Sequence, residues 1–457
     1  ANAPGSLRDV WALSAGHADK DYLVYRDERW TYAQAHDEVN RIAGWLTANG
    51  IGQHDRVAIA MRNYPEWMLS YWAVCSIGAV VVGMNAWWVP EEMDYGLKDS
   101  APKVLICDRE RLERFESISA GFPQMRVVAV RVDGDLPGYA VPWSSVLAAE
   151  PNLPDVTIDP DDDACVFYTS GTTGFPKGAQ LTHRGCVNNL MSLMFMNMTQ
   201  PAATARARGE QAPDPLSGDG PQMASIVATP LFHVTANNCL AQSMTIAGGK
   251  LVHMYKWDAG EALRIIEEEK ITTFTGVPVM SRELISHPDF AHRDTSTLAA
   301  LGGGGAAVQP DLVEKIEKAG SGRPSQGYGM TEVCGIISAS AGDYFVDRPN
   351  SQGLVVPIFD IKCVDENGNA VPLGERGEVC VKGAQVIKGY LNRPEATAET
   401  IVDGWLHTGD IGYLDEDNFV YLVDRAKDMV LRGGENVYCS EVETAIFKMD
   451  AVAECSV

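Results

Sequence analysis

The chain has 457 residues, 46% hydrophobic and 21% charged, which is enough apolar material for more than one core and ordinary for a folded enzyme. A formal net charge of −24 at pH 7 argues against nucleic-acid partners and electrostatic docking on anionic lipid, although a local donor cluster can still hold an anion. There is no apolar run of about eighteen residues that would span a bilayer. Ala1-Asn2-Ala3-Pro4-Gly5 shows no secretory pattern, and the missing initiator Met suggests that residues were trimmed. The ten cysteines include no C-x-x-C pair. The expectation is a reduced thiol set in the cytoplasm, without zinc or a redox dithiol.

In chain order, Thr31-Tyr32-Ala33-Gln34 has capping-box spacing and predicts a helix to about Asn49, stopped by Gly50. Residues 57–61 read as a strand, after which Asn63 is the expected cap of a second helix with Pro65 in its first turn. Short β-rich runs at 79–84, 104–107 and 127–130 alternate with helical patterns and imply βαβ units with a parallel sheet. Trp87 and Trp88 read as core plugs rather than ligand contacts. Residues 152–163, rich in Pro and Asp, read as a connector into a strand at 164–167, and a helix is expected from Asn188. Residues 200–222 lack periodicity and read as a mobile surface loop. A second series follows, with strands at 224–228 and 271–275 and helices at 259–270 and 312–318. From 361 to 423, short alternating runs broken by turn clusters predict antiparallel strands in a small barrel-like subdomain. A helical unit is expected over 437–449. The fold class is therefore α/β, with two βαβ-type subdomains, a small β-barrel-like subdomain and the start of a further small domain.

The densest local chemistry is Tyr168-Thr169-Ser170-Gly171-Thr172-Thr173-Gly174-Phe175-Pro176-Lys177-Gly178. Its glycines let the backbone turn tightly and direct N–H groups inward, its hydroxyls add donors and Lys177 adds a positive charge. This is equipment for a polyphosphate. It is not the P-loop of nucleotide hydrolases, because Gly178 follows the lysine where that loop needs Ser or Thr. Further on, Gly302-Gly303-Gly304-Gly305-Ala306-Ala307 follows an expected strand and lets a planar ring approach bare backbone. Gln326-Gly327-Tyr328-Gly329-Met330-Thr331-Glu332 offers an aromatic face for a purine and a carboxylate suited to Mg²⁺.

Together with Trp405-Leu406-His407-Thr408-Gly409-Asp410 and Asp424-Arg425-Ala426-Lys427-Asp428, these segments resemble, in order, the signatures of the adenylate-forming ligases. That superfamily holds acyl- and aryl-CoA synthetases, luciferases and peptide-synthetase adenylation domains, and the resemblance covers about residues 20 to 457. It implies that Thr169, Ser170, Gly171, Thr172, Thr173, Gly174 and Lys177 hold the β- and γ-phosphates of ATP, with Thr173 and Lys177 taking part in the chemistry. Gly305, Ala306, Ala307, Gln326, Gly327, Gly329 and Met330 would border the nucleotide, with Tyr328 stacked on adenine. Thr331 would contact the α-phosphate and Glu332 the Mg²⁺. Asp410 would accept both ribose hydroxyls and Arg425 would add a second ribose contact. Lys427 would be the hinge, within 424–428, between a large N-terminal domain (1–423) and a small α+β domain begun by 429–457. Gly433, Gly434 and Glu435 correspond to a loop beside the thiol's entry tunnel. Gly377-Glu378-Val379 and Gly383 match a structural segment. The family's C-terminal lysine has no counterpart in the sequence, so the chain as printed is expected to bind ATP and acid but adenylate poorly.

The chemistry implied is attack of a carboxylate on the α-phosphorus of ATP, then transfer of the acyl group to a thiol, expected to be that of coenzyme A. Phe232-His233 stands where amino-acid-activating relatives carry Phe-Asp, and an imidazole cannot neutralise an ammonium. Val234, Gly302, Gly303, Gly304, Met330, Cys334 and Ile336 are expected to line an acyl pocket with Phe232 and His233. Their small size leaves length for a medium or long fatty acid, with an aryl or cinnamate-type acid next. A luciferase-like oxygenase and a non-catalytic nucleotide-binding module are the alternatives from other classes, and homodimerisation is left open.

Overall fold

The computed structural model describes residues 3–169, 174–211, 220–306 and 308–425, and a few positions beyond, including 430–432 and 435–437. Thr31 caps the helix Tyr32–Ala48 through the expected box with Gln34, and Ser6 does the same for Leu7–Ser14 with Asp9. The helix Pro65–Ser76 is predominantly apolar and all of its residues are buried, with Glu66 paired to Arg131 at its start. Asn63 is not its cap. The Asn63 amide donates to Val227 O and Thr229 O and accepts from Leu231 N, so it holds the turn at 229–231 instead.

Two sheets carry the molecule. The first has eight strands in the order Gly389–Tyr390, Lys177–Thr182, Asp163–Thr169, Val80–Gly83, Arg56–Ala60, Val104–Asp108, Arg126–Val130 and Ala140–Pro142. Its pairs from Val80–Gly83 onward are parallel, as the strand–helix alternation requires. The second sheet runs from the hairpin Asp21–Tyr25 and Glu28–Thr31 through Lys250–His253, Ala224–Val227, Thr273–Gly276 and Ala300–Gly304 to Arg323–Met330. It then continues without a break into antiparallel strands: Gly335–Ala341, Gly353–Val355, Phe419–Arg425, Trp405–Leu414, Gly377–Lys382 and Asp360–Val364. The antiparallel segment expected from the turns is thus an extension of the second sheet. The largest core cluster joins Val57, Ile59 and Val81 of the first sheet to Leu23, Val227 and Leu251 of the second through the helices between them.

Further expectations are corrected. The helix after the phosphate stretch begins at His183, capped by Thr182, and runs to Ala207. Residues 201–207 are therefore helical; exposed Pro201 is accommodated, and Gln200 Nε2 pins the helix to Ala339 O at 3.0 Å. Residues 212–219 lie outside the described ones. The glycine run does not follow a strand but forms it, in Ala300–Gly304. Val437 closes a small hairpin of Val430–Arg432 with Glu435–Val437, and the helix expected after it falls largely outside the described residues.

Candidate functional site

The phosphate stretch is the tip of a β-hairpin. Asp163–Thr169 and Lys177–Thr182 pair antiparallel, with Thr169 opposite Lys177 at the neck. The Thr169 hydroxyl donates to Lys177 O at 3.4 Å, so it closes the neck rather than standing free as a donor. Gly174 has φ +145°, open to glycine. The positions between, Ser170 to Thr173, lie outside the described residues. Lys177 Nζ lies 4.3 Å from the centre of the Tyr390 ring, and the Tyr390 hydroxyl donates to Glu332 Oε1 at 2.7 Å. Tyr390 reaches this place because Gly389–Tyr390 pairs with Lys177–Thr182 on the outer edge of the first sheet. Burial, and then the Glu332 carboxylate, raises its phenol. The other Glu332 oxygen makes no hydrogen bond among the described residues. A carboxylate oxygen so placed suits Mg²⁺, a hard cation that takes one or two protein oxygens with phosphates and water.

The parallel pairing of Gly303 with Gln326 and Gly304 with Gly327 lays the glycine strand beside the second motif. Gly302 is glycine for packing: a Cβ there would sit 2.1 Å from Ser325 Oγ, so that face is filled by the neighbouring strand. Gly304 is more open, its nearest atoms being Gly327 O at 3.6 Å and Thr235 Cγ2 at 3.8 Å. Gly305 turns at φ +81°. Ala306 is exposed, and Ala307 lies outside the described residues. The Gln326 side chain is spent on structure, accepting from Val308 N and donating to Gln352. A bulge at Tyr328/Gly329 lets Gly335 O approach so closely that only glycine fits at 329.

Tyr328 donates its hydroxyl to Asp410 Oδ2 at 2.6 Å, and Arg425 Nε lies 3.4 Å from Asp410 Oδ1. The structure thus unites Tyr328, Asp410 and Arg425, motifs nearly a hundred residues apart in sequence. Asp410 sits in a bulge, because Glu378 and Cys380 pair with Ile411 and His407. Glu378 Oε1 fixes the bulge by accepting from Gly409 N at 3.0 Å. Burial raises the Asp410 carboxyl and, more strongly, the Tyr328 phenol, whose proton is held on Asp410.

Thr331 and Glu332 lie on a single turn, Thr331–Val333, held by amides that sequence reading does not single out. Gln385 Nε2 donates to Val333 O and Ile336 O, Asn189 Oδ1 accepts from Ile336 N, and Asn238 Nδ2 donates to Cys334 O. Nothing in a local pattern marks these residues, since their partners are set by long-range packing. Tyr390 is equally unmarked, since it is the long-range pairing of Gly389–Tyr390 with Lys177–Thr182 that brings it to the site.

Phe232 and His233 precede a π-helical segment, Thr235–Ala241, a distortion common at functional sites. Burial lowers the His233 imidazole, which makes no hydrogen bond among the described residues; its ring lies against Phe232, 4.7 Å between centres. Trp87 meets the Phe232 ring edge-on at 5.3 Å and is 52% exposed, so it is not the core plug expected; Trp88 is. Cys334 does not line this region. At φ +57° its side chain turns toward the helix His183–Ala207, where its sulfur lies 2.5 Å from the position a Cβ on Gly185 would take, and it is fully buried. Val234 is buried in the same cluster as Phe232, whereas buried Ile336 and half-buried Met330 pack with Tyr328 in another. Gly377 and Gly383 abut Val364 O and Ile358 O, in keeping with a structural role. The hinge Lys427 and the loop Gly433-Gly434 lie outside the described residues; Glu435 opens the second strand of the small hairpin.

The described residues thus bring together a lysine at the neck of a hairpin, a tyrosine that joins it to the Glu332 carboxylate, and an aromatic ring bonded to a second carboxylate. The sequence profile of the AMP-binding enzyme family matches residues 10–391, and the chain belongs to that family. It is 35% identical to a feruloyl-CoA synthase of Amycolatopsis sp, covering 93% of this chain and 80% of that one. It is 30% identical to a long-chain-fatty-acid–CoA ligase of Bacillus subtilis, covering 98% and 82%. An anthranilate CoA ligase bound to anthranoyl-AMP superposes with a TM-score of 0.88 at 25% identity, covering 99% and 84%. The chain is an acid–CoA ligase of the adenylate-forming kind. No helix among the described residues is long and apolar enough to cross a membrane.

Proposed function

We propose that the acid activated here is a compact aromatic one, of the arylpropenoic or benzoic class, rather than the fatty acid that the small residues of the sequence first suggest. The observation that carries this reading is the fate of two positions. The space at Gly302 is filled by Ser325, and Cys334 faces the helix behind it. Without them the expected acyl lining has fewer small positions along which a tail could extend, and its remaining members include an aromatic group in which the Phe232 ring meets His233 and Trp87. The feruloyl-CoA synthase and the anthranilate ligase support the same reading. A fatty acid is the second reading, favoured by the Bacillus subtilis relative.

In the proposed reaction ATP binds with adenine against Tyr328 and ribose on Asp410 and Arg425. Lys177 and the hairpin tip would neutralise the outer phosphates, Thr331 would meet the α-phosphate and Glu332 would hold Mg²⁺. The ion, when bound, would offset the charge of the leaving pyrophosphate. The protein's contribution is positioning and electrostatic, since two anions must meet and no side chain need form a bond to either. The thiol of coenzyme A then attacks the acyl carbonyl, forming the thioester as the acyl–phosphate bond breaks and AMP leaves. Residues 1–423 would form the ATP- and acid-binding domain, with a hinge at 424–428.

The test is ATP–pyrophosphate exchange and CoA ligation over a panel of cinnamic, benzoic, fatty and α-amino acids. The expected order is aryl acids above fatty acids, with no exchange on amino acids. His233→Ala should lower the rate with every accepted acid rather than change the order. A preference for fatty acids of about ten or more carbons would overturn the aryl reading, since each buried methylene is worth about 0.8 kcal/mol.

A further inference from the structure

The absence of any C-x-x-C pair removes zinc from a reading of the sequence alone, but strand register creates proximity that spacing along the chain cannot show. On one face of the extended second sheet, Glu378 and Cys380 of Gly377–Lys382 stand against His407 of Trp405–Leu414. His407 Nδ1 lies 2.7 Å from Glu378 Oε2 and 3.5 Å from Cys380 Sγ, and the three donor atoms all lie within 4.8 Å of one another. Among the described residues this is the one such group of three. We propose that Glu378, Cys380 and His407 form a binding site for a zinc-class divalent cation, separate from the Mg²⁺ position at Glu332.

The donor set decides the metal. A thiolate, an imidazole and a carboxylate select Zn²⁺ and its relatives and offer little to Mg²⁺, which prefers an all-oxygen shell. Three protein donors leave a fourth tetrahedral position for water. The geometry is nearly in place, since the donors ride on paired strands and Glu378 keeps its Oε1 on Gly409 N while Oε2 faces the site. In the metal-free contact Nδ1–H donates to Glu378 Oε2, and a cation would take the place of that proton, leaving the neutral imidazole with its proton on Nε2 and Nδ1 as the ligand. Entry is open, because the Glu378 and His407 side chains are each 27% exposed while Cys380 is buried beneath them. A competing cation, Lys362, is the cross-strand neighbour of Cys380, and its ammonium lies over the Trp405 ring at 4.3 Å.

The site is coupled to the nucleotide. Glu378 is shared between the metal donors and the bulge that carries Asp410, so a cation drawing charge from its carboxylate weakens its hold on Gly409 N. Zinc should therefore lower affinity for AMP, and AMP should lower affinity for zinc by the same factor.

The experiment titrates the chelator-treated protein with Cd²⁺, followed by the ultraviolet thiolate-to-metal band, and with Co²⁺, followed by its visible spectrum. One equivalent should bind with a thiolate band that millimolar Mg²⁺ does not remove. The band should vanish in Cys380→Ser, and binding should weaken at least about tenfold in His407→Gln, which keeps the thiol. Cys363→Ser should leave it unchanged. Thermal melts without metal show that each variant is folded. Calorimetry of AMP with and without Zn²⁺ should show several-fold weaker binding in wild type and no effect in Cys380→Ser. No thiolate band in wild type, a band that survives Cys380→Ser, or displacement of Cd²⁺ by Mg²⁺ would each overturn the site.

Discussion

Tyr390 ties two halves of the proposed nucleotide site together, with its ring against Lys177 and its hydroxyl on Glu332. Tyr390→Phe keeps the ring and deletes the hydroxyl. It should leave ATP affinity close to wild type but raise the Mg²⁺ concentration for half-maximal activity by about tenfold, the usual cost of losing a group that orients a metal ligand. Tyr390→Leu should weaken ATP binding as well. Equal Mg²⁺ dependence in Tyr390→Phe and wild type would remove the hydroxyl from this role. Asp410 is the second residue-scale case. Asp410→Ala strands the Tyr328 hydroxyl and frees Arg425, and should weaken ATP and AMP by about 1–3 kcal/mol in calorimetry. An unchanged affinity would take Asp410 out of the site. Asp410 and Arg425 are legible in the sequence as motifs, whereas Tyr328's bond to Asp410 is not, because it comes from sheet order. Cys334 shows the opposite limit: its place in the string suggested a pocket, and one left-handed φ turned it into the core.

At the scale of elements, the parallel strands are legible because strands buried on both faces are continuous apolar runs, as Val80–Gly83 is and as residues 104–107 are within Val104–Asp108. Capping chemistry was equally readable at Thr31, whose hydroxyl and the Gln34 side chain satisfy two backbone N–H groups locally. Asn63 has a cap's composition but a tertiary partner, and residues 201–207 continue a helix whose start and packing lie upstream. The glycine motifs combine both kinds of cause, and substitution separates them. Gly329→Ala would place a Cβ 1.9 Å from Gly335 O, within backbone that cannot yield without breaking the pairing of Arg323–Met330 with Gly335–Ala341. It should destabilise by about 2 kcal/mol or more or prevent folding, in line with overpacking of a closed site. Gly16→Ala meets nothing within 4 Å and is not at positive φ, so it should be neutral or stabilise by up to about 1 kcal/mol. Thermal melts of the two would check the contrast, and equal melting temperatures would refute it.

For the molecule as a whole, both sheets and the helices between them share one core cluster, so groups buried there report on global stability. Three histidines are held neutral inside or against the core. Burial pushes His36 down to about 4 and His253 to about 3, and lowers His183, whose Nδ1 accepts from Leu7 N. His36 stacks on Trp11 with its Nε2 on Ser14, and neither ring nitrogen of His253 has a well-formed partner. In the unfolded chain each would titrate near 6.5. A folded pKa below the unfolded one means that the unfolded state binds the extra proton first. The stability these residues allow is therefore complete above about pH 6.5 and declines as pH falls toward the folded values, by up to about 1.4 kcal/mol per group per pH unit. The buried carboxyls of Glu38, Glu66 and Asp108 are raised, also chiefly by burial, and act with the opposite sign. They gain stability as pH drops through their raised values and so work against the histidines. Denaturant or thermal unfolding should show the histidine contribution as stability falling once pH drops below about 6.5. His253→Leu, which removes a buried base without adding a charge, should flatten the slope by up to about 1 kcal/mol per pH unit whatever it does to stability at pH 8. A slope identical in wild type and variant would mean that His253 is protonated in the folded protein or not buried in solution.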